Sequence, residues 1–277
     1  MTATVSDASN ADVVAAIEVN TQAAFVRWAT GLDADMHRAP EVTWFASNLP
    51  FALCNGVIRA ALPPTGADRH IGALLGHFKE RHVPLCWLVG PSSHPEDLGL
   101  RLEAHGFVHA EDGPGMAIDL GAFDDDAATP AGLAIVEVDD GAMLRAWIAA
   151  LCVGSDFPDD VRAVLDGLLE RHGLTAAHGL SQHPSVRLYL GLLNGEPVAT
   201  ALLFLAAGVA GLYDVATAPH ARRRGIGAAL SRASLRTARD LWYRLGVLQS
   251  SAMGEGVYRR LGFQQYCTLS LYFWSPD

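Results

Sequence analysis

The chain has 277 residues, half of them hydrophobic and 18% charged, with a formal net charge of −10. That composition excludes an intrinsically disordered chain, and the excess of acid disfavours nucleic acid and anionic membrane surfaces as partners. The length suits one large domain or two modest ones with a sizeable core.

Cys54, Cys86, Cys152 and Cys267 are widely spaced without a C-x-x-C pair, which reads as four reduced thiols. The opening MTATVSDASNADVV lacks the basic start and apolar run of a signal peptide. No apolar segment approaches the roughly 20 residues that cross a bilayer. The expectation is a soluble, cytoplasmic protein.

In chain order, CWLVG (86–90) and GMAIDL (115–120) read as strands. GAFDDDAATPAG (121–132) combines an acidic triplet, small residues and a proline, and reads as a linker. The chain therefore divides into 1–122, a linker at 123–131, and 132–277. The second part opens with a strand (133–138) and a helix (142–153). A further helix begins at SDFPDDV, where Ser155 or Asp156 caps and Pro158 suits the first turn. VRLYLGLL and VATALLFLA follow as strands joined by Asn194-Gly195, a two-residue hairpin signal. VAGLYDVAT is a third strand, Ile226 to about Arg239 a helix, VLQSS a strand, GEGVYRRL a short helix and TLSLYFW a last strand. The fold class is mixed α/β, with the antiparallel strands first.

The two parts resemble each other. Sliding by 155 positions lays Gly56–Leu75 on Gly211–Leu230 with eight identities in twenty, among them Gly56/Gly211, Pro64/Pro219, Arg69/Arg224 and Gly72/Gly227. One residue out of that register, EAHGF falls on RRLGF (259–263). The copies differ at polar positions: Ala67 stands against Arg222, His70 against Gly225 and Leu102 against Tyr258. This reads as a duplication whose first copy kept its fold signals and lost its polar groups.

The stretch PHARRRGIGAALSRA (219–233) puts three arginines and two glycines between a strand and a helix. A helix start leaves backbone N–H groups unpaired, and with the helix dipole these form an anion site. Gly225 and Gly227 permit close approach, and Arg222, Arg223 and Arg224 supply charge for a polyanion such as a pyrophosphate. It is neither the dinucleotide fingerprint, lacking the third glycine, nor a P-loop, lacking G-K-[ST].

Arg222-x-x-Gly225-x-Gly227, with the LYDVATAP strand before it and VYRRLGF carrying Tyr258, Gly262 and Phe263 after it, resembles the signature of the GNAT family of acetyl-CoA-dependent N-acetyltransferases. The resemblance covers about 65 residues. It implies two GNAT-like domains of the acyl-CoA N-acyltransferase fold, the first degenerate, and direct acetyl transfer to a primary amine. It implies that Val215 and Thr217 pair with the pantetheine of acetyl-CoA. The backbone from Arg223 through Gly225, Ile226, Gly227 and Ala228 would hold the pyrophosphate, and Tyr258 would protonate the departing thiolate. Tyr258 has a second reading, as a ring packed under the loop. For the base, the strand position some relatives use is Gly211; Asp214 is the nearby carboxylate, and a water chain or an amine arriving neutral needs none. Ser251 stands where relatives often carry a cofactor-touching asparagine, and Phe157 and Asp159 would lie in the acceptor wall.

The histidine groups His70, His77, His82 and His172, His178, His183 show no metal-ligand spacing, so no metal is expected. His220 is a further phosphate candidate. The acceptor, small molecule or peptide, stays open, as does the oligomeric state, with a homodimer among the options. A non-catalytic acyl-CoA-binding or sensing protein is the rival reading, and a mycothiol-synthase-like tandem enzyme a narrower one.

Overall fold

The computed structural model describes residues 9–124, 126–157, 161–163, 165 and 185–276. The chain forms two compact units that interleave in sequence: Asn10–Gly115 with Gln249–Met253 and Gln265–Asp277, and Met116–Leu248 with Gly254–Gln264 and Ser9. Among the described residues no helix is long and apolar enough to cross a membrane.

The N-terminal unit contains α1 (Asn10–Gly31), β1 (Asp35–Arg38), β2 (Val42–Ala46), β3 (Asn55–Ala60), α2 (Ala67–Arg81), β4 (Leu85–Val89), α3 (Leu98–Ala104) and the first part of β5 (Val108–Asp119). β1, β2 and β3 are antiparallel and β3 runs parallel to β4. Its core gathers Val57, Ile71, Phe78, Trp87, Leu98, Leu102 and Phe107, all nearly or fully buried.

The C-terminal unit contains β6 (Leu133–Glu137), α4 (Gly141–Gly154), β7 (Val186–Leu193), β8 (Glu196–Ala206), β9 (Val209–Thr217), α5 (Ile226–Asp240), β10 (Leu245–Gln249) and α6 (Glu255–Arg260). β6 to β9 are antiparallel in sequence order, and β9 runs parallel to β10. Each unit therefore repeats one plan, antiparallel strands followed by one parallel pair. The mixed α/β reading of the sequence is the architecture found.

Local chemistry explains the elements. Asn194 and Gly195 both take positive φ (52° and 88°), as a tight hairpin turn matched to strand twist requires. Ala207-Gly208 makes a second such turn (54° and 75°) between β8 and β9. Asp140 caps α4 by accepting from the Met143 N–H at 2.7 Å, and the helix buries Leu144, Trp147, Ile148 and Leu151. On α5 the buried positions Ile226, Ala229, Leu230, Ser234, Leu235 and Ala238 recur at helical spacing and form one face. Burial of each leucine on that face contributes roughly 1.5–3 kcal/mol.

The last strand, β11 (Gln264–Trp274), does not stay with the unit that precedes it. It pairs antiparallel with β4, from Ser270↔Val89 to Trp274↔Leu85, and five residue pairs hold it in the N-terminal unit. By contact the chain changes unit at 115/116, 248/249, 253/254 and 264/265.

Candidate functional site

The site is built where β9 and β10 part. Their parallel register holds at two pairs only, Gly246↔Ala210 and Val247↔Gly211, while β9 continues to Thr217 paired with β8. The far half of β9 thus has one strand neighbour in register. Within it the β8 pairing slips, Thr200 facing Ala216 and Leu202 facing Tyr213, so Asp214 and Val215 together oppose Ala201. This is a β-bulge, and Asp214 sits in it at φ 51°. Thr200, fully buried, fixes the bulge by donating its hydroxyl to the Asp214 carbonyl at 2.7 Å.

The bulge resolves the orientation of β9. A Cβ placed on Gly227 would lie 3.5 Å from Thr217 Oγ1 and 3.9 Å from Val215 Cγ1, so Val215 and Thr217 face the start of α5 together. Ala216 points the other way: a Cβ on Gly154, at the end of α4, would meet the Ala216 Cβ at 2.8 Å. Only glycine lets α4 end that close to the strand.

Asp214 is exposed, yet it lies in dense protein surroundings, and that burial pushes its carboxyl up to about 6. Water reaching its open side works against the rise. Gly211, where some relatives place a carboxylate, is a buried position of β9.

The loop from β9 to α5 carries the stretch expected to bind an anion. Ala221 N–H donates to Ala218 at 2.8 Å, and Arg223 and Gly225 follow with φ of 60° and 77°. The first intrahelical bond to Gly225 comes from Ala229, at 3.0 Å. Among the described hydrogen bonds, none of the N–H groups from Arg223 to Ala228 meets an acceptor. Six successive donors at a helix N-terminus, with exposed Arg223 and Arg224 beside them, make a strong anion cradle. Ile226 is buried and contributes only backbone.

Arg222 departs from the expectation that it supplies charge to a polyanion. Its guanidinium is turned inward: Nε donates to the Thr217 carbonyl and Nη2 to the Gly154 carbonyl, each at 3.0 Å. The fork reaches two nearby carbonyls better than open solvent. His220 is exposed, 3.6 Å from Glu196.

Tyr258, on α6, is buried against Phe263, their rings 5.7 Å apart and nearly perpendicular. Burial pushes its phenol up to about 12, with a hydrogen bond to Ser231 acting in the opposite direction. Ser231 is fully buried and donates to the Gly227 carbonyl at 2.9 Å, so one serine ties the phenol to the first turn of α5. The ring is packed against Phe263, and burial holds the phenol in its neutral form. Ser231 and Thr200 were missed in the sequence. The only available signal is a small hydroxyl in an apolar stretch, which is too common to select them.

Ser251 is exposed after β10, its carbonyl accepting from Ser250 Oγ at 2.8 Å, and it counts with the N-terminal unit. Phe157 is half-buried, its N–H bonded to the Cys152 carbonyl at 3.0 Å. Asp159, Pro158, His172, His178 and His183 lie outside the described residues. Among those described, no three His, Cys, Asp or Glu side chains are grouped to hold a metal.

The N-terminal unit treats the same region differently. β3 and β4 also part after two register pairs, Gly56↔Cys86 and Val57↔Trp87. There the chain itself returns to the gap: His94 bridges Ala61 in parallel, its N–H donating to Ala60 and its carbonyl accepting from Leu62, both at 3.0 Å. Buried Glu18 holds the returning segment through the N–H and hydroxyl of Ser92, at 3.0 and 2.8 Å. Pro63 and Pro64 offer no N–H, and Asp68 in the first turn of α2 is paired with Arg101. An open cavity of about 640 Å³ beside the bridge is edged by Glu41 and Glu96, charge opposite to that of the C-terminal loop. α2 and α5 are both capped by a left-handed glycine, Gly66 and Gly225. These lie 159 positions apart, so the helices align one turn away from the 155-position sequence match.

Comparison with known proteins follows this geometry. Residues 160–263 match the model of the acetyltransferase (GNAT) family. No curated protein matches. Among solved structures, the chain is similar to a GCN5-related N-acetyltransferase from Kribbella flavida at 18% identity and a TM-score of 0.68, covering 93% of this chain and 96% of that one. It is similar to a functionally unknown conserved protein from Staphylococcus epidermidis at 12% identity and a TM-score of 0.68, covering 89% and 96%. A tandem GNAT protein from the clavulanic acid biosynthesis pathway shares the fold at 18% identity and a TM-score of 0.55, covering 87% and 82%. Residues 160–263 thus match the GNAT family model, and the fold of these solved structures extends over most of the chain.

Proposed function

We propose that the GNAT domain of this chain transfers an acetyl group from acetyl-CoA directly to a primary amine. The observation that carries the reading is the row of unbonded N–H groups from Arg223 to Ala228, set beside the parting of β9 from β10. Such a cradle fits a pyrophosphate, and the far edge of β9 at Val215 and Thr217 offers backbone to an extended amide-bearing chain. Arg223 and Arg224 then neutralise phosphate charge from the open side.

Acetyl-CoA supplies the acyl thioester; this chain's residues bind it, orient it and manage protons. The amine must present a lone pair, and Asp214, with its raised carboxyl, takes its proton directly or through water. Tyr258 donates to the thiolate and recovers its proton from solvent. Against an ordinary thiol near 8.5, a phenol near 12 is too weak an acid by roughly 5 kcal/mol. A thiolate released in the same dry surroundings is lifted as well; burial takes Cys54 and Cys86 of this chain to about 12. Desolvation of the thiolate thus narrows the gap.

The N-terminal unit, on this reading, is a GNAT-like copy that takes no acetyl-CoA. The test is thiol release from acetyl-CoA across a panel of small and peptide amines, beside a calorimetric titration of acetyl-CoA. Amine-dependent release that Tyr258→Phe lowers supports the transferase. Tight binding with no release on any amine supports a sensing protein, which the glycine at position 211 favours. No binding at near-millimolar acetyl-CoA refutes both.

A further inference from the structure

We infer that Arg222 is a positioning residue of the proposed transferase: it locks the cofactor loop to the end of β9 and to the last turn of α4, and leaves phosphate contact to its neighbours. The inference rests on the acetyl-CoA reading above for its consequence, and on geometry alone for the lock. Two donors of one guanidinium reach carbonyls 63 positions apart in sequence, Gly154 and Thr217, both at 3.0 Å. The planar fork presents Nε and Nη2 at a fixed spacing, so satisfying both carbonyls fixes the side chain and the backbone carrying it.

Each end of the lock matters to the site. Thr217 closes the strand whose side chains face Gly227. Gly154 ends α4, which has no basic residue in its own last turn, so the guanidinium supplies the cation that a helix C-terminus favours. Directly after Arg222 the backbone enters left-handed geometry at Arg223, a conformation disfavoured for any residue but glycine. A strained turn persists only where its surroundings over-determine it, and the two bonds of Arg222 do so one residue earlier. The N-terminal unit has Ala67 at the position matching Arg222 by sequence, and its loop holds no such fork. The lock also joins the cofactor loop to α4, from which the chain continues to Phe157, so order in one side is transmitted to the other.

Substitutions separate lock from ligand. In Arg222→Gln the amide nitrogen sits near the place of Nε and keeps the Thr217 bond without charge. In Arg222→Lys the charge is kept, but one ammonium cannot reproduce the fork. We would measure hydrogen exchange of residues 215–224 in the unliganded protein, and titrate acetyl-CoA calorimetrically at low and high salt, for wild type, Arg222→Ala, Arg222→Gln and Arg222→Lys. The lock predicts exchange about tenfold faster in Arg222→Ala and Arg222→Lys, with Arg222→Gln nearer to wild type. It predicts acetyl-CoA affinity in the same order, at least tenfold weaker for Arg222→Ala, with the salt dependence of wild type. Binding preserved by Lys, lost with Gln and less salt-dependent in both Gln and Ala would make Arg222 a phosphate ligand and overturn the inference. Unchanged exchange in all variants would overturn it too. If exchange responds as stated while wild type fails to bind acetyl-CoA, the lock stands and the acetyl-CoA reading falls.

Discussion

Gly227 separates the needs of the fold from those of the ligand. It lies in the first turn of α5, and its backbone has no positive φ. A methyl group there meets Thr217 Oγ1 and Val215 Cγ1 at ordinary contact distances of 3.5 and 3.9 Å. Gly227→Ala should therefore raise stability by about 0.5–1 kcal/mol, because alanine loses less backbone entropy in a helix. For a unit of this size that is a rise in Tm of roughly 1–4 °C. Gly227→Leu gains similar helix propensity, but its branched carbons extend into the space between α5 and β9. It should stay folded and lose acetyl-CoA affinity at least tenfold, about 1.4 kcal/mol, while Gly227→Ala stays within a few-fold of wild type. Gly72→Leu, in the N-terminal unit, should leave affinity untouched. Calorimetric titration of the three variants, with melting curves on the same preparations, reads both effects. A Gly227→Leu protein that melts normally and binds acetyl-CoA like wild type would refute the placement of the cradle.

Titration of wild type should give one acetyl-CoA per chain, and two would mean that the His94 bridge opens. Tyr258→Phe should lower kcat by about 10²–10⁴ with little change in KM for acetyl-CoA, as expected for loss of a general acid. Its stability cost should be near 1 kcal/mol, that of one hydrogen bond. Asp214 has a raised folded value, so the unfolded state ionises first between its ordinary value near 3.8 and about 6; stability should fall as pH rises through that window, by less than the full shift implies because the side chain is open to water. Asp214→Asn, which tolerates the left-handed backbone, should remove that decline in pH-dependent melts. It should also erase the acid limb near pH 6 in kcat/KM if the carboxylate is the base.

Much of this was legible in the sequence because the signals were local. Asn194-Gly195 marks a turn through its own φ preference, and the strand, arginine-glycine loop and helix from 209 to 240 follow from periodicity and composition. The remainder depended on partners distant in the chain. Alternation along β9 could not say where Asp214 points, because the bulge opposite Ala201 breaks the period of two. Three arginines in a row look equivalent until the carbonyls of Gly154 and Thr217 are seen to claim the first. TLSLYFW (268–274) reads as a strand, which the structure extends back to Gln264, but its choice of β4 as neighbour is a long-range pairing with no local mark. The helix starts of the two units differ by one turn from the sequence match, because α2 follows a strand that ends earlier and a loop two residues shorter, 61–66 against 218–225.

The His94 bridge lays the chain's own backbone beside the end of β3, where β3 and β4 part. A tethered backbone competes at an effective concentration of millimolar or more, set by the few residues between β4 and the bridge. A diffusible molecule bearing the same amide pattern, present at micromolar levels, would be outcompeted about a thousandfold at equal intrinsic affinity. On the proposed reading, the unit takes no acetyl-CoA because its own chain occupies the gap. On that reading, arginines placed in its loop alone would not confer binding, whereas loosening the Glu18–Ser92 anchor acts on the competitor itself.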